Sequence, residues 1–368
     1  MPMRMPVLVL IPLTYWIHTV YRVPTATTQG EGYDLERNDP RLFCGMTFCS
    51  RPFCRSNPYG ILISTMVGTK SPRPDSRKRR ATLIGSTAIV MWATLALLTE
   101  WSGSIPPFQL TSMAFAIAFG IGGVLWWRDG GSVLQHLRLP WQVWGVGIFG
   151  LFGYHFFYFM ALRNAPAVEA SLIAYLWPLL IVLFSALLPH ERLRLTHVLG
   201  AVLGFIGAGL LVTQGQAVAL NPAYGLGYGA ALICALTWSS YSILSRRFGA
   251  IPTSAVGGFC GATALLALGC HLLFEETVVP QGGEWLAVLG LGLGPVGMAF
   301  FTWDYGVKQG DIKLLGVLSY AAPLLSTLLL VAGGLAQATV ALGVACGLIV
   351  GGAAIATLRP SPAASEPH

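Results

Sequence analysis

The chain has 368 residues, 54% of them apolar and only 10% charged, with a mean hydropathy of +0.65. A soluble domain carries roughly 25% charged residues to cover its surface, so this composition excludes a soluble enzyme and a disordered scaffold. The net charge of +7 sits in residues 1–80, with 12 Lys+Arg against 5 Asp+Glu, while residues 81–368 hold 10 of each. Basic charge ahead of a first membrane span sets orientation rather than binding nucleic acid.

Residues 1–80 carry 9 of the 23 prolines. The apolar run Val7–Val20 is broken by Pro12 and is short for a span of about 20 residues. It has Arg4 in front of it, as a signal peptide would, but no small-x-small cleavage site follows. Cys44, Cys49 and Cys54 have no fourth ligand at a zinc spacing. Residues 1–76 are therefore expected to be a disordered or untranslated extension, with Met66 as an alternative start just ahead of the basic cluster Arg77–Arg80.

From Ala81 onward ten apolar segments follow, at 81–99, 108–127, 141–162, 166–188, 195–213, 225–245, 252–274, 284–306, 311–332 and 338–358. Each is near the length that crosses about 30 Å of hydrocarbon as a helix. Their runs are continuous, which excludes the alternating pattern of a membrane β-barrel. Breakers such as Pro106-Pro107, Asn221-Pro222 and Gly333-Gly334 punctuate the short connections. Residues 359–368 form a polar tail. Cys234, Cys260, Cys270 and Cys346 lie in apolar runs as small hydrophobes, and no disulfide framework is implied.

Loop charge then predicts topology. With a cytoplasmic N-terminus, 13 Lys and Arg fall inside and only Arg163 falls outside. That asymmetry follows the positive-inside rule, and an even number of spans returns the C-terminus to the cytoplasm.

The chain also repeats itself. Tyr175-Leu-Trp-Pro178-Leu-Leu matches Tyr320-Ala-Ala-Pro323-Leu-Leu 145 positions later, and Arg163 and Phe156 fall on Lys308 and Phe301 at the same offset. Trp92 falls on Trp238 at an offset of 146. Two copies of five helices, 77–213 and 214–358, are expected. Because five is odd, the second copy enters the membrane from the opposite side, as in transporters whose solute site lies where inverted copies meet.

These residues resemble the drug/metabolite transporter superfamily in its EamA-type branch. More narrowly, Glu169-Ala-Ser-Leu-Ile-Ala-Tyr-Leu-Trp-Pro178 and Trp303-Asp-Tyr-Gly-Val-Lys-Gln-Gly-Asp311, followed by Leu318-Ser-Tyr-Ala-Ala-Pro-Leu-Leu-Ser326, look like YddG-type aromatic amino acid exporters. The resemblance covers about Ala81 to Leu358. It implies a ten-helix bundle around a central cavity in the bacterial inner membrane, exporting amino acids or other small solutes by alternating access. A broad drug or metabolite exporter of the same fold is the alternative. No cofactor and no metal are implied, and a single copy of the chain is expected to suffice.

Six tryptophans, Trp101, Trp126, Trp127, Trp141, Trp144 and Trp285, lie near segment ends, where interfacial anchoring is ordinary. Trp92, Trp177 and Trp238 lie deep, where an indole N–H needs a partner. Tyr154 and Tyr158 share one helical face, with His155 at its edge. Tyr175 and Trp177 add a second aromatic wall, and Trp238 or Tyr241 a third from the other copy. Packed aromatic core is the competing reading for each. These seven residues are the expected solute site, holding an aromatic side chain by offset stacking and its ammonium over a ring face.

His155 is the deep ionisable residue, while Glu169 and Asp304 lie closer to segment ends. Glu169 is expected to act at its helix N-terminus, and Asp304 to pair with Lys308 one turn on. Pro178 and Pro323 are expected to kink their helices, freeing the carbonyls of Ala174 and Ser319. No His-Glu-x-x-His, no Gly-x-Ser-x-Gly and no carboxylate pair within a span supports an intramembrane enzyme. A channel would not need the inverted repeat.

Overall fold

The computed structural model describes residues 74–130, 132–189, 191–333 and 337–358. The expectations for 1–73 and for the tail 359–368, including the Val7–Val20 run, the three early cysteines and the Met66 start, lie outside the described residues.

Long helices follow one another in chain order: α1 (Ser76–Trp101), α2 (Pro107–Arg128), α3 (Trp141–Asn164), α4 (Ala167–Leu187), α5 (Leu195–Thr213), α6 (Gly225–Arg247), α7 (Thr253–Phe274), α8 (Glu284–Gln309), α9 (Ile312–Ala332) and α10 (Val340–Thr357). Among the described residues, nine of these are long and apolar enough to cross a membrane. The exception is α6. Its second half carries Thr237, Ser239, Ser242 and Ser245, all buried against protein. A helix whose polar groups face inward has no need of uniformly lipid-like residues.

Several helices are interrupted, and the interruptions recur. A π-helical turn occupies Phe149–Gly153 in α3 and Gly294–Met298 in α8, 145 positions apart. Both α4 and α9 break just before their prolines, at Tyr175–Leu176 and at Ser319–Tyr320. The Ser319 carbonyl is not left free, as the proline argument expected. It accepts the Ala322 N–H at 3.1 Å, because the tight turn preceding Pro323 satisfies it locally.

Helix pairing is reciprocal between the halves. α1 packs on α8 and α3 on α6, α2 packs on α7, and α5 packs on α10. The first pair crosses at Gly85 and Gly306, where a Cβ on Gly85 would lie 2.9 Å from the Gly306 Cα. Ala161 and Ala231, the matching positions in α3 and α6, share one small-residue cluster. α2 and α7 touch at Gly122 and Gly257, where an added Cβ would come within 2.6 Å of backbone. Such small residues let backbones approach where lipid offers no hydrophobic drive for association.

Polar pins hold both ends. Glu275 accepts the backbone N–H groups of Phe108 and Gln109 at 3.0 and 3.1 Å, satisfying free donors at the start of α2. Trp126, expected as an interfacial anchor, is instead fully buried and donates to the Ser254 carbonyl at 3.0 Å. The close α2–α7 crossing encloses it.

Candidate functional site

The prominent feature at mid-depth is an aromatic cluster drawn from both halves of the chain. Trp92 lies at its hub, with ring centroids 6.0 Å from Trp177, 5.7 Å from Trp238 and 5.1 Å from Trp303. Its indole N–H donates to the Pro295 carbonyl at 3.1 Å, within the π-turn of α8. Trp177 approaches Trp238 edge-on at 6.3 Å, and Trp238 stacks on Trp303 at 6.2 Å with 27° between planes. The Trp303 N–H donates to the Ser242 hydroxyl at 3.1 Å. The Trp92 and Trp303 indoles thus each have an acceptor, as burial in hydrocarbon demands.

The α3 face adjoins this cluster. Tyr154 and Tyr158 stack with only 7° between planes, at 6.2 Å, and Tyr154 lies 5.6 Å from Trp238. The Tyr158 hydroxyl shares a hydrogen bond of 3.3 Å with the Ser171 hydroxyl on α4. His155 Nδ1 lies 2.7 Å from the Leu151 carbonyl, so that nitrogen carries the proton and Nε2 is left as an acceptor in the neutral ring. The π-turn presents that carbonyl, and such turns concentrate at functional positions. Phe115 packs edge-on against His155 at 5.1 Å and stacks on Phe300 at 5.4 Å.

Of the expected site residues, Tyr154, His155, Tyr158 and Tyr175 are half-buried, while Trp177, Trp238 and Tyr241 are buried. Tyr154, His155, Tyr158, Trp177 and Trp238 come together around the indole cluster. Tyr241 touches Trp238 at 5.2 Å, but it also lines a small cavity with Ser245 and Lys308 toward the Arg246 end of the bundle. Trp92, Trp303, Phe115 and Phe300 were not among the expected site residues. The offset linking Trp92 to Trp238 was a usable signal for the first. Nothing in the local sequence distinguishes Phe115 or Phe300 from packing residues.

Charge is kept to the two ends. At the Arg246 end, Glu191 pairs with Arg246 at 2.5 Å and with Lys313. Arg246 also donates to the Val307 and Gly310 carbonyls at 2.7 and 3.0 Å. Lys78 pairs with Asp311 at 2.8 Å. Burial pushes the Glu191 carboxyl up, but the Lys313 hydrogen bond and the Arg246 charge outweigh it and hold the group below the usual range. Asp311 is likewise raised by burial and lowered further by Lys78, with a net depression. At the opposite end Glu169 accepts the Tyr228 hydroxyl of α6. Glu169 lies in the first turn of α4, as expected, and its side chain reaches across to α6.

A bundle of lipid-grade helices around an uncharged aromatic and hydroxyl-bearing centre defines an α-helical membrane transporter of small organic solutes. Residues 79–213 and 225–358 each match the model of the EamA-like transporter family, and the chain belongs to that family. It is a secondary transporter and not an enzyme. The chain is 59% identical over 279 residues to the aromatic amino acid exporter YddG of Ancylobacter novellus, covering 76% of this chain and 97% of the relative. It is 24% identical to the YddG exporter of Salmonella typhimurium over 68% of this chain and 87% of that one. A solved crystal structure at 58% identity superposes with a TM-score of 0.72, covering 76% of this chain and 97% of the other.

Proposed function

We propose that the protein exports aromatic and other neutral amino acids from the bacterial cytoplasm by alternating access. The observation that carries this reading is the aromatic centre, where Trp92, Trp177, Trp238 and Trp303 meet Tyr154 and His155 without any formal charge among them. Offset stacking on indoles suits a planar side chain. Ring faces and tyrosine hydroxyls suit an ammonium. Tyr154, His155, Tyr158, Tyr175, Trp177, Trp238 and Tyr241 form the solute site in this reading. The chain's 59% identity to an aromatic amino acid exporter supports it.

Two inverted five-helix repeats, 77–213 and 214–358, give the transport cycle its symmetry. The two family matches, the recurring helix breaks and the reciprocal pairing of α1 with α8 and α3 with α6 support that division. α6 is then a tenth span. The breaks ahead of Pro178 and Pro323 are the bending points. Both termini lie in the cytoplasm of a protein acting as a monomer in the inner membrane, and the Glu191–Arg246–Lys313 ions close the cytoplasmic end. Cysteine accessibility in intact cells tests the orientation: labelling of Arg247→Cys from outside would overturn it.

Counterflow in proteoliposomes tests the function. Vesicles loaded with unlabelled phenylalanine, tyrosine or tryptophan should accumulate the labelled amino acid transiently and saturably. Failure with all three, alongside counterflow of another organic solute, would assign the site to a different substrate class.

A further inference from the structure

Asp304 and Lys308, one turn apart on α8, form an ion pair of 2.8 Å whose side chains are only 1% and 7% exposed. Replacing a buried pair with packed apolar residues is commonly neutral or stabilising. Stability alone therefore gives no reason for two charges here, and ionisable groups inside spans mark solute pathways.

The two partners differ in how fully they are satisfied. Asp304 Oδ1 accepts the Ser245 hydroxyl at 2.6 Å, and Oδ2 accepts the Thr253 hydroxyl at 2.8 Å beside the Lys308 ammonium. Lys308 has three N–H donors. Among the described residues, one serves Asp304 and one the Ile251 carbonyl at 3.0 Å. Lys308 lines a cavity of about 10 Å³ together with Tyr241 and Ser245, room for about one water. The Tyr241 hydroxyl, on a residue 3% exposed, has no hydrogen-bond partner in this structure. Two unused donors therefore border one small space, and the group they call for is an acceptor. The space adjoins the aromatic centre through Tyr241 and Trp238.

We propose that this cluster is a second, cytoplasmic subsite, in which Lys308 and Tyr241 hold the carboxylate of an amino acid while Asp304 takes its ammonium. The proposal rests on the amino acid reading above and deepens it. When the Arg246 end opens, the internal pair exchanges partners with a zwitterion, so no net charge is buried at any stage. Ser245 and Thr253 keep the Asp304 oxygens hydrogen-bonded while Lys308 turns to its new partner. With this end closed, the cavity holds a water at most.

Inside-out vesicles present the cytoplasmic face to added competitors. Uptake of labelled phenylalanine is inhibited with unlabelled phenylalanine, with phenethylamine (no carboxylate) and with 3-phenylpropionate (no ammonium). The wild type should prefer phenylalanine to either analogue by about tenfold or more, as sites built around a polar group reject analogues lacking it. Lys308→Gln should shrink the preference over phenethylamine by about tenfold, and Asp304→Asn the preference over phenylpropionate. Tyr241→Phe keeps the ring and should weaken phenylalanine roughly threefold without weakening phenethylamine.

A purely structural pair would lower uptake without changing these ratios. Unchanged ratios in folded Tyr241→Phe and in either charge variant mean the cavity holds water only, and the subsite is refuted. A wild type that takes up none of phenylalanine, tyrosine and tryptophan overturns the amino acid reading, and this subsite with it. A wild type that transports phenylalanine with unaltered ratios in the variants overturns the subsite alone.

Discussion

The Tyr320 hydroxyl of α9 accepts the backbone N–H of Leu179 in α4 at 3.1 Å. In an unbroken helix that N–H would bond to the carbonyl of Tyr175, but α4 breaks there. One repeat thus supplies the acceptor for a donor exposed by a break in the other. Tyr320→Phe keeps the ring that packs against Gly204 and leaves the amide unsatisfied, at a cost of about 1–3 kcal/mol. The melting temperature of the purified protein in detergent should fall, and an unchanged value would show that the amide finds another partner.

Glu191 links Arg246 on α6 to Lys313 on α9. Its carboxyl and that of Asp311 are held below their ordinary values. A depressed carboxylate stabilises the folded arrangement above its unfolded value and stops doing so as pH falls through the folded one. The closed end should therefore be intact at neutral pH and loosen below about pH 4. Glu191→Gln should produce the loosening at neutral pH. Alkylation of Ile251→Cys, with the native cysteines replaced, should speed up roughly tenfold, since a charge-assisted hydrogen bond contributes about 1.5–3 kcal/mol. Equal alkylation rates with and without the Glu191 charge would rule out a closing role.

Neighbouring glycines on α2 should respond in opposite ways. A Cβ on Gly122 meets the Gly257 backbone at 2.6 Å, whereas a Cβ on Gly123 meets nothing within 4 Å. Gly122→Ala should destabilise by about 1–3 kcal/mol through overpacking, and Gly123→Ala should be neutral or slightly stabilising. Thermal unfolding of the two variants side by side checks the crossing, and equal stabilities would remove it.

Trp177 touches Trp92, Trp238 and Trp303 edge-on. Trp177→Ala removes a stacking surface of about 0.5–1.5 kcal/mol beyond simple burial, so phenylalanine affinity in counterflow should fall roughly threefold to tenfold. Tyr158→Phe keeps the ring and removes the hydroxyl shared with Ser171, separating stacking from hydrogen bonding. If affinity and turnover of folded Trp177→Ala both match the wild type, the indole is packing and the solute lies elsewhere.

Much of this protein is legible along the chain because a bilayer imposes simple rules. Length and hydropathy mark the helices, since every backbone polar group in hydrocarbon must be satisfied within its own segment. The matched Tyr-x-x-Pro-Leu-Leu motifs and the twinned tryptophans Trp92 and Trp238 pointed to the repeat, although Trp92 was not read as a site residue. What the chain could not reveal is which face each side chain turns toward. Trp126 reads as an interfacial anchor by position, yet the Gly122–Gly257 approach encloses it. Glu169 reads as a helix-end charge, yet it bonds to Tyr228, 59 positions away. Asp304 reads as the partner of Lys308 one turn on, and that pair forms, but only the fold brings Ser245 and Thr253 from two other helices to complete its shell. Helix identity follows from local composition and span length. The aromatic centre and the unused donors of Lys308 and Tyr241 exist only where separate helices converge, and that convergence is set by close packing at small residues, a property of pairs of surfaces rather than of any one segment.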